Sequence, residues 1–292
     1  MDKDIEEKYI KAGKIASEAR NYGKSLIVEG ALLIEVLDKI EEKIFELGGK
    51  PAFPAQISLN NIAAHYCADP DDTTMFKKGD VAKLDIGVHV DGYVADTAVT
   101  IDLGDNSSLV DASRNALEKA LSLATPGRKV SEIGKAIHDE IAKMGFSPVK
   151  NLSGHGVGKF IIHGPPSIPN YETGEHVTLK EGMVIAIEPF ASKGIGMIHE
   201  TDTANIFMLT SKKPVRSQIT RDVLKEIEKY EGLPFTTRWL TKKFPAIKVR
   251  VALRELLQLG ALRAFPPLPD KGLVSQAEHT VIVKDVPIVT TR

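Results

Sequence analysis

The sequence predicts an α+β fold, a strand-rich sheet core alternating with helices and carrying a small helical insertion before its last strands. Two β-rich runs, VAKLDIGVHV and YVADTAVTI, flank the dipeptide Asp91-Gly92, a turn chemistry that closes two-residue hairpins. Segments rich in Ala, Leu, Ile, Glu and Lys at helical spacing lie before that hairpin, at 5–47, and after it, at 109–124 and 130–144. Short apolar runs, MVIAIEPF and HTVIVK, then return to the pattern of buried strands.

Taken in chain order, 5–47 reads as two helices with a break around Gly23, ended by Gly48-Gly49. Pro51 and Pro54 force extended backbone, and QISLNNIAAHY reads as a loop or edge strand that carries His65. After the hairpin, Thr125-Pro126-Gly127 separates the next two helices. From Asn151 the chain is rich in Gly and Pro, which predicts a site-forming loop region until MVIAIEPF, bounded by Gly182 and Pro189. Helical patterns at 221–230 and 248–259 then form an insertion ahead of the Pro-rich FPPLP and the last strand. The predicted organisation is a catalytic body of 1–203 and 264–292, interrupted by a basic helical subdomain at 204–263.

With 42% hydrophobic residues in 292, the chain can bury a large core. Its most apolar stretches, such as 184–187 and 249–253, the second holding Arg250, are broken by charges far short of the roughly 20 residues of a membrane span. The opening MDKDIEEKYIKAGK lacks the apolar stretch of a signal peptide, so the expected location is the cytoplasm. One cysteine, Cys67, excludes an internal disulfide and any Cys-rich zinc site. Metal chemistry here must therefore use oxygen and imidazole, which favour hard or borderline ions. The net charge of −1 hides an asymmetry: 212–263 carries thirteen Lys and Arg against five Asp and Glu, leaving the rest at −9.

A two-residue turn at Asp91-Gly92 makes cross-strand partners sum to 183, so Asp85 faces Ala98 and Asp96 faces Gly87. Both carboxylates then project from one face of an otherwise apolar hairpin. Two buried like charges repel and need a compensating cation, unless one of them is exposed or merely ends a strand. Glu188 closes the apolar MVIAIE and Glu278 stands just before HTVIV, so the same oddity recurs twice. His155, between Gly154 and Gly156, offers an imidazole where glycines let the backbone crowd a ligand.

SGHGVG with His155, KLDIGVHVDGYVADTA with Asp85 and Asp96, AIEPF with Glu188 and QAEHT with Glu278 together resemble the methionine aminopeptidases of peptidase family M24. The long insertion between Glu188 and Glu278 resembles the type II subclass, in its archaeal form. The resemblance implies a pita-bread fold (the creatinase/aminopeptidase fold) with a winged-helix-like insertion, and a metal-dependent hydrolase that removes N-terminal methionine ahead of a small second residue. It implies two divalent ions, cobalt, manganese, iron, nickel or zinc, around a bridging hydroxide. Asp96 and Glu278 would bridge them, Asp85 would bind one, and His155 with Glu188 would complete the other. Glu188 would also handle the proton of the attacking water. His65 in NNIAAHY and His163 in FIIHGPP match catalytic, substrate-contacting histidines, and Phe53, Ile162 and Phe265 match apolar positions around the methionine side chain. Phe265 stands where relatives often have Tyr. His279 would support the ligand beside it.

Two rivals share these features. Proline dipeptidases carry a similar ligand set but usually a large N-terminal domain, and here 84 residues precede Asp85. Non-catalytic relatives that serve as platforms for RNA or protein lose ligands, and this chain keeps all five. The partners expected are nascent polypeptides and, through the basic insertion, the ribosome, with no membrane and a monomeric chain.

Overall fold

A computed structural model describes residues 1–201 and 203–292. In chain order the elements are α1 (Lys3–Leu26), α2 (Leu33–Glu46), β1 (Lys50–Pro51), β2 (Gln56–Leu59), β3 (Val81–Val90), β4 (Tyr93–Asp102), α3 (Ser107–Leu121) and α4 (Val130–Lys143). There follow β5 (Ser147–Pro148), β6 (Ser153–Gly158), β7 (Ile161–Pro169), β8 (Val184–Ile187), β9 (Phe190–Ser192) and β10 (Ile206–Leu209). The chain closes with α5 (Gln218–Ile227), β11 (Phe235–Thr236), α6 (Thr237–Thr241), α7 (Ala246–Gln258), β12 (Leu262–Phe265), β13 (Val274–Gln276), β14 (Glu278–Ile282) and β15 (Ile288–Val289).

The main sheet runs β1-β3-β4-β14-β8-β6-β7, with β2 also on β3 and β15 on β14, and every pairing is antiparallel. Helices α1 and α2 pack their apolar faces on one end, through Ile15, Val36, Leu37 and Ile40 against Leu84, Ile86 and Val88. Helices α3 and α4 cover the other, through Leu117, Ile133 and Ile137 against Ile185, Ile187 and Val281. The hairpin keeps the predicted register, from Val81 opposite Asp102 to Val90 opposite Tyr93. Its turn places Asp91 at φ 51° and Gly92 at φ 90°, the two left-handed residues that a type I′ turn needs.

Four expectations need correction. Gly23 does not break a helix: it lies inside α1, where an added Cβ would stand 2.6 Å from Ile40 Cδ1, so it permits close packing on α2. The glycine-rich region after Asn151 is strand rather than loop as far as Pro169, forming β6 and β7, and is irregular only beyond that, up to β8. Cβ atoms at Gly154 and Gly156 would come within 2.3 Å of the Ala186 oxygen and 2.1 Å of the Pro165 oxygen, so glycine marks strands pressed together. MVIAIEPF divides into β8 and β9, which join different sheets on either side of Glu188-Pro189. The insertion is not purely helical, because β11, β10 and β12 form a small sheet beside α5, α6 and α7.

That insertion has its own apolar cluster, including Phe207, Val223, Ile227, Phe235, Leu253 and Leu256. It is fastened to α2 by Arg238, which donates to both oxygens of Glu41, at 3.0 and 2.6 Å, and to Asp38. Trp239 Nε1 donates to the same Glu41 at 2.8 Å. Among the described residues no helix is long and apolar enough to cross a membrane.

Candidate metal centre and active site

Period-two alternation builds the site. On β3 the even residues Leu84, Ile86 and Val88 pack on the helices, which turns Lys83, Asp85 and Gly87 to the opposite face. On β14, Val281 packs on the helices while Glu278 faces the cavity, and on β8, Ile185 and Ile187 do the same for Glu188 just past the strand end. Glu278 lies opposite Ala98, and His155 on β6 lies opposite Ala186. Asp96 is pinned by Thr280, whose hydroxyl accepts from the Asp96 N–H at 2.7 Å and donates to its carbonyl at 2.8 Å. All five predicted ligands line one cavity of about 330 Å³.

Asp96, His155 and Glu278 each offer a ligand atom within 4.8 Å of the others, and all three are buried. His155 Nε2 stands 3.7 Å from Asp96 Oδ2 and 3.6 Å from Glu188 Oε1. Asp85 and Glu188 border that trio. Burial pushes the Asp85 carboxyl up to about 7, against which a hydrogen bond from Gln276 acts. Burial first, and then repulsion among the neighbouring carboxylates, raises Asp96, Glu188 and Glu278 well above the carboxylate range. Burial, followed by the His163 charge, takes His155 down to about 3, so it is neutral and free to coordinate. Among the described residues Asp85 Oδ1, Asp96 Oδ1 and Glu278 Oε2 are buried without a hydrogen-bond partner. Orphaned oxygens on converging carboxylates, beside a neutral imidazole, fit a divalent cation, whose charge offsets a desolvation that the Gln276 hydrogen bond relieves only in part.

The remaining predicted residues gather around that centre. His65 sits at φ 65°, a left-handed backbone that a non-glycine residue holds only where its surroundings enforce it, and its buried Nδ1 has no partner. His163 packs edge-on against His155 with ring centroids 4.6 Å apart, and Phe265 lies 5.6 Å from His65 and 6.0 Å from His163. Burial, then neighbouring positive charge, lowers both His65 and His163 to about 4. Phe53, Ile162 and Phe265 are buried and line the same cavity.

His279 departs from expectation. It follows Glu278 on a strand, so it points to the opposite face, where it meets Thr291 Oγ1 at 2.8 Å and Arg20 at 3.4 Å. Gln56, Gln276 and Arg263 were not foreseen. Gln276 shares a face with Glu278 two residues on, a signal present in QAEHT. Gln56 lies opposite Asp85 on β2, a pairing across a long connection that no turn announces.

This combination of curled antiparallel sheet, backing helix pairs and buried carboxylate–imidazole trio defines a metallopeptidase. The family profile of metallopeptidase family M24 matches residues 7–229, and the chain belongs to that family. Within it the chain groups with the methionine aminopeptidases: it is 51% identical to the methionine aminopeptidase of Archaeoglobus fulgidus over 98% of this chain and 97% of that protein. It is also 47% identical to that of Pyrococcus horikoshii over the full length of both.

Solved structures share the pita-bread fold. The methionine aminopeptidase of Thermotoga maritima superposes with a TM-score of 0.74 at 24% identity, covering 100% of this chain and 98% of that one. A thermophilic Arx1 superposes at 0.87 with 17% identity, over 99% of this chain and 91% of that one. The prolidase of Pyrococcus furiosus superposes at 0.63 with 22% identity, over 100% of this chain but 64% of that one. At these identities the likeness speaks for the fold alone. Family membership and the buried trio together make this a divalent-metal peptidase with peptide substrates.

Proposed function

We propose that the chain removes N-terminal methionine from peptides and nascent proteins whose second residue is small, with two divalent ions held by Asp85, Asp96, His155, Glu188 and Glu278. The observation that carries this reading is the convergence of Asp96, His155 and Glu278 within 4.8 Å, in a cavity also lined by Phe53 and Ile162. Asp96, His155 and Glu278 would hold the ions together with Asp85 and Glu188, which border that trio. When bound, the ions supply Lewis acidity toward the scissile carbonyl and make hydroxide available near neutral pH.

The protein's own groups do the rest. Phe53, Ile162 and Phe265 bury the methionine side chain and fix the substrate's register. Glu188, ionised beside the ions, would take a proton from the attacking water and pass it to the leaving amine. His163, neutral at pH 7, donates a ring N–H to the carbonyl oxygen as negative charge develops there. His65 contacts the substrate beside it.

The prolidase reading is disfavoured because the chain is 51% and 47% identical to proteins named methionine aminopeptidase, whereas its likeness to a prolidase, at 22% identity, speaks for the fold alone. The test is cleavage of Met-Ala-Ser, Met-Pro and Ala-Pro peptides by chelated enzyme re-supplied with cobalt, manganese, iron, nickel or zinc singly. Methionine release from Met-Ala-Ser supports the assignment. Release only from proline-linked peptides, or no methionine release with any metal, overturns it.

A cytoplasmic monomer, with 204–263 acting as a docking subdomain for the ribosome, completes the proposal. Supporting it, Lys248, Arg250 and Arg254 stand exposed on α7 and form no ion pair among the described residues, while Lys242 and Lys243 are tied to Asp38 and Glu226. Ribosome co-sedimentation that survives charge reversal at Lys248, Arg250 and Arg254 would refute the docking.

A further inference from the structure

The catalytic cavity has two electrical poles. The sheet side gathers Asp85, Asp96, Glu188 and Glu278, whose charges the metal offsets. Around Phe265 the cavity presents His65 and His163, both held neutral, and Arg263 on β12. Among the described residues lining the cavity, Arg263 is the one lysine or arginine. It is exposed, and no described carboxylate lies within ion-pair distance of it. Its guanidinium carbon lies 5.0 Å from the Phe265 ring centroid, so the side chain rests on the aromatic face. A stacked guanidinium has already lost much of its rotamer freedom and presents its edge donors ready for a planar anion.

The substrate has to thread between these poles. With its free amine at the metal pole and its methionine side chain among Phe53, Ile162 and Phe265, the chain beyond the scissile bond would run along the outer side of Phe265, where Arg263 rests. We propose that Arg263 forms a carboxylate-binding subsite for the part of the substrate downstream of the scissile bond, an inference that rests on the aminopeptidase reading above. The carboxylate has two sources: an acidic side chain within the first few residues after methionine, or the terminal carboxylate of a very short peptide. An exposed pair of this kind discriminates by about three- to fivefold.

The experiment measures kcat/KM for C-terminally amidated Met-Ala-Glu-Gly, Met-Ala-Gln-Gly and Met-Ala-Lys-Gly, and for Met-Ala-Gln with a free or an amidated terminus. Wild type, Arg263→Gln and Arg263→Glu are compared, each by the ratio between peptides, at low and high salt. The expected result is a wild-type preference of about three- to fivefold for Glu over Gln in the amidated set, or for the free terminus in the short pair. Whichever arm shows it names the source. The preference should vanish in Arg263→Gln, turn toward lysine in Arg263→Glu, and weaken with salt in the wild type. Ratios that do not move between wild type and Arg263→Glu overturn the subsite; should that variant not fold, ratios unmoved in Arg263→Gln and by salt do the same. If no peptide loses methionine, the peptidase reading fails instead, and the affinities of the uncleaved peptides, compared in the same ratios, decide the subsite.

Discussion

Stripping the metal should make the protein's stability fall as pH rises through neutrality. In the metal-free fold Asp85 titrates at about 7 rather than its ordinary 3.8, because burial penalises its charge. A carboxyl whose folded value is raised retains a proton that the unfolded chain has already released. Its stability is therefore present below about pH 3.8 and lost as pH climbs to about 7, a span worth about 4 kcal/mol. Asp96, Glu188 and Glu278 are also raised well above the carboxylate range, by burial first and then by neighbouring carboxylate charge, and act in the same sense.

His65, His155 and His163 act in the opposite sense, since depressed values cost stability only as pH falls below 6.5. Lys83, which burial lowers to about 7, titrates in the same range with the opposite sign, because the unfolded chain keeps a proton that the folded one releases. The carboxyl contribution is therefore read between about pH 6.5 and 7.5 as the difference between the metal-free and metal-loaded slopes, where each carboxyl that stays protonated costs about 1.4 kcal/mol per pH unit and about 3 °C of melting temperature. A bound divalent ion takes the place of those protons, so saturating cobalt or manganese should remove the carboxyl part of the slope. Differential scanning fluorimetry of chelated and metal-loaded protein across the window measures both. Parallel slopes in the two series would show that these carboxyls do not face the ion.

Arg238→Met should cost about 3–5 kcal/mol in chemical denaturation, because Glu41 is then buried with only Trp239 and the Ala55 N–H as donors. A loss under about 1 kcal/mol would mean that the insertion's attachment does not depend on this pair. Gly156→Ala places a Cβ 2.1 Å from the Pro165 carbonyl oxygen and must part β6 from β7. It should cost about 1–3 kcal/mol and weaken metal binding measured by calorimetry, since His155 rides on the same strand; unchanged stability and affinity would refute the strand-contact role of this glycine.

Much of the site could be read before any coordinates, for a physical reason. The turn chemistry of Asp91-Gly92 is local, and a pleat of period two converts it into register, so Asp85 and Asp96 share a face without knowledge of the rest of the chain. The same alternation should have moved His279 away from Glu278, where sequence adjacency misled. Glycine was the other source of error. Gly23, Gly154 and Gly156 carry no sign of whether they loosen a backbone or let two backbones touch, because the neighbour that decides lies far along the chain.

The sequence by itself determined the hairpin and its register, the four backing helices and the basic insertion, since each rests on spacing within a short stretch, while the set of five candidate ligands came from the resemblance to a family. Only the tertiary structure decided that Gln56 stands opposite Asp85, that Gln276 steadies it, and that Arg263 reaches the catalytic cavity. Those positions depend on strands paired across long connections and on how the insertion docks, and no local propensity encodes either.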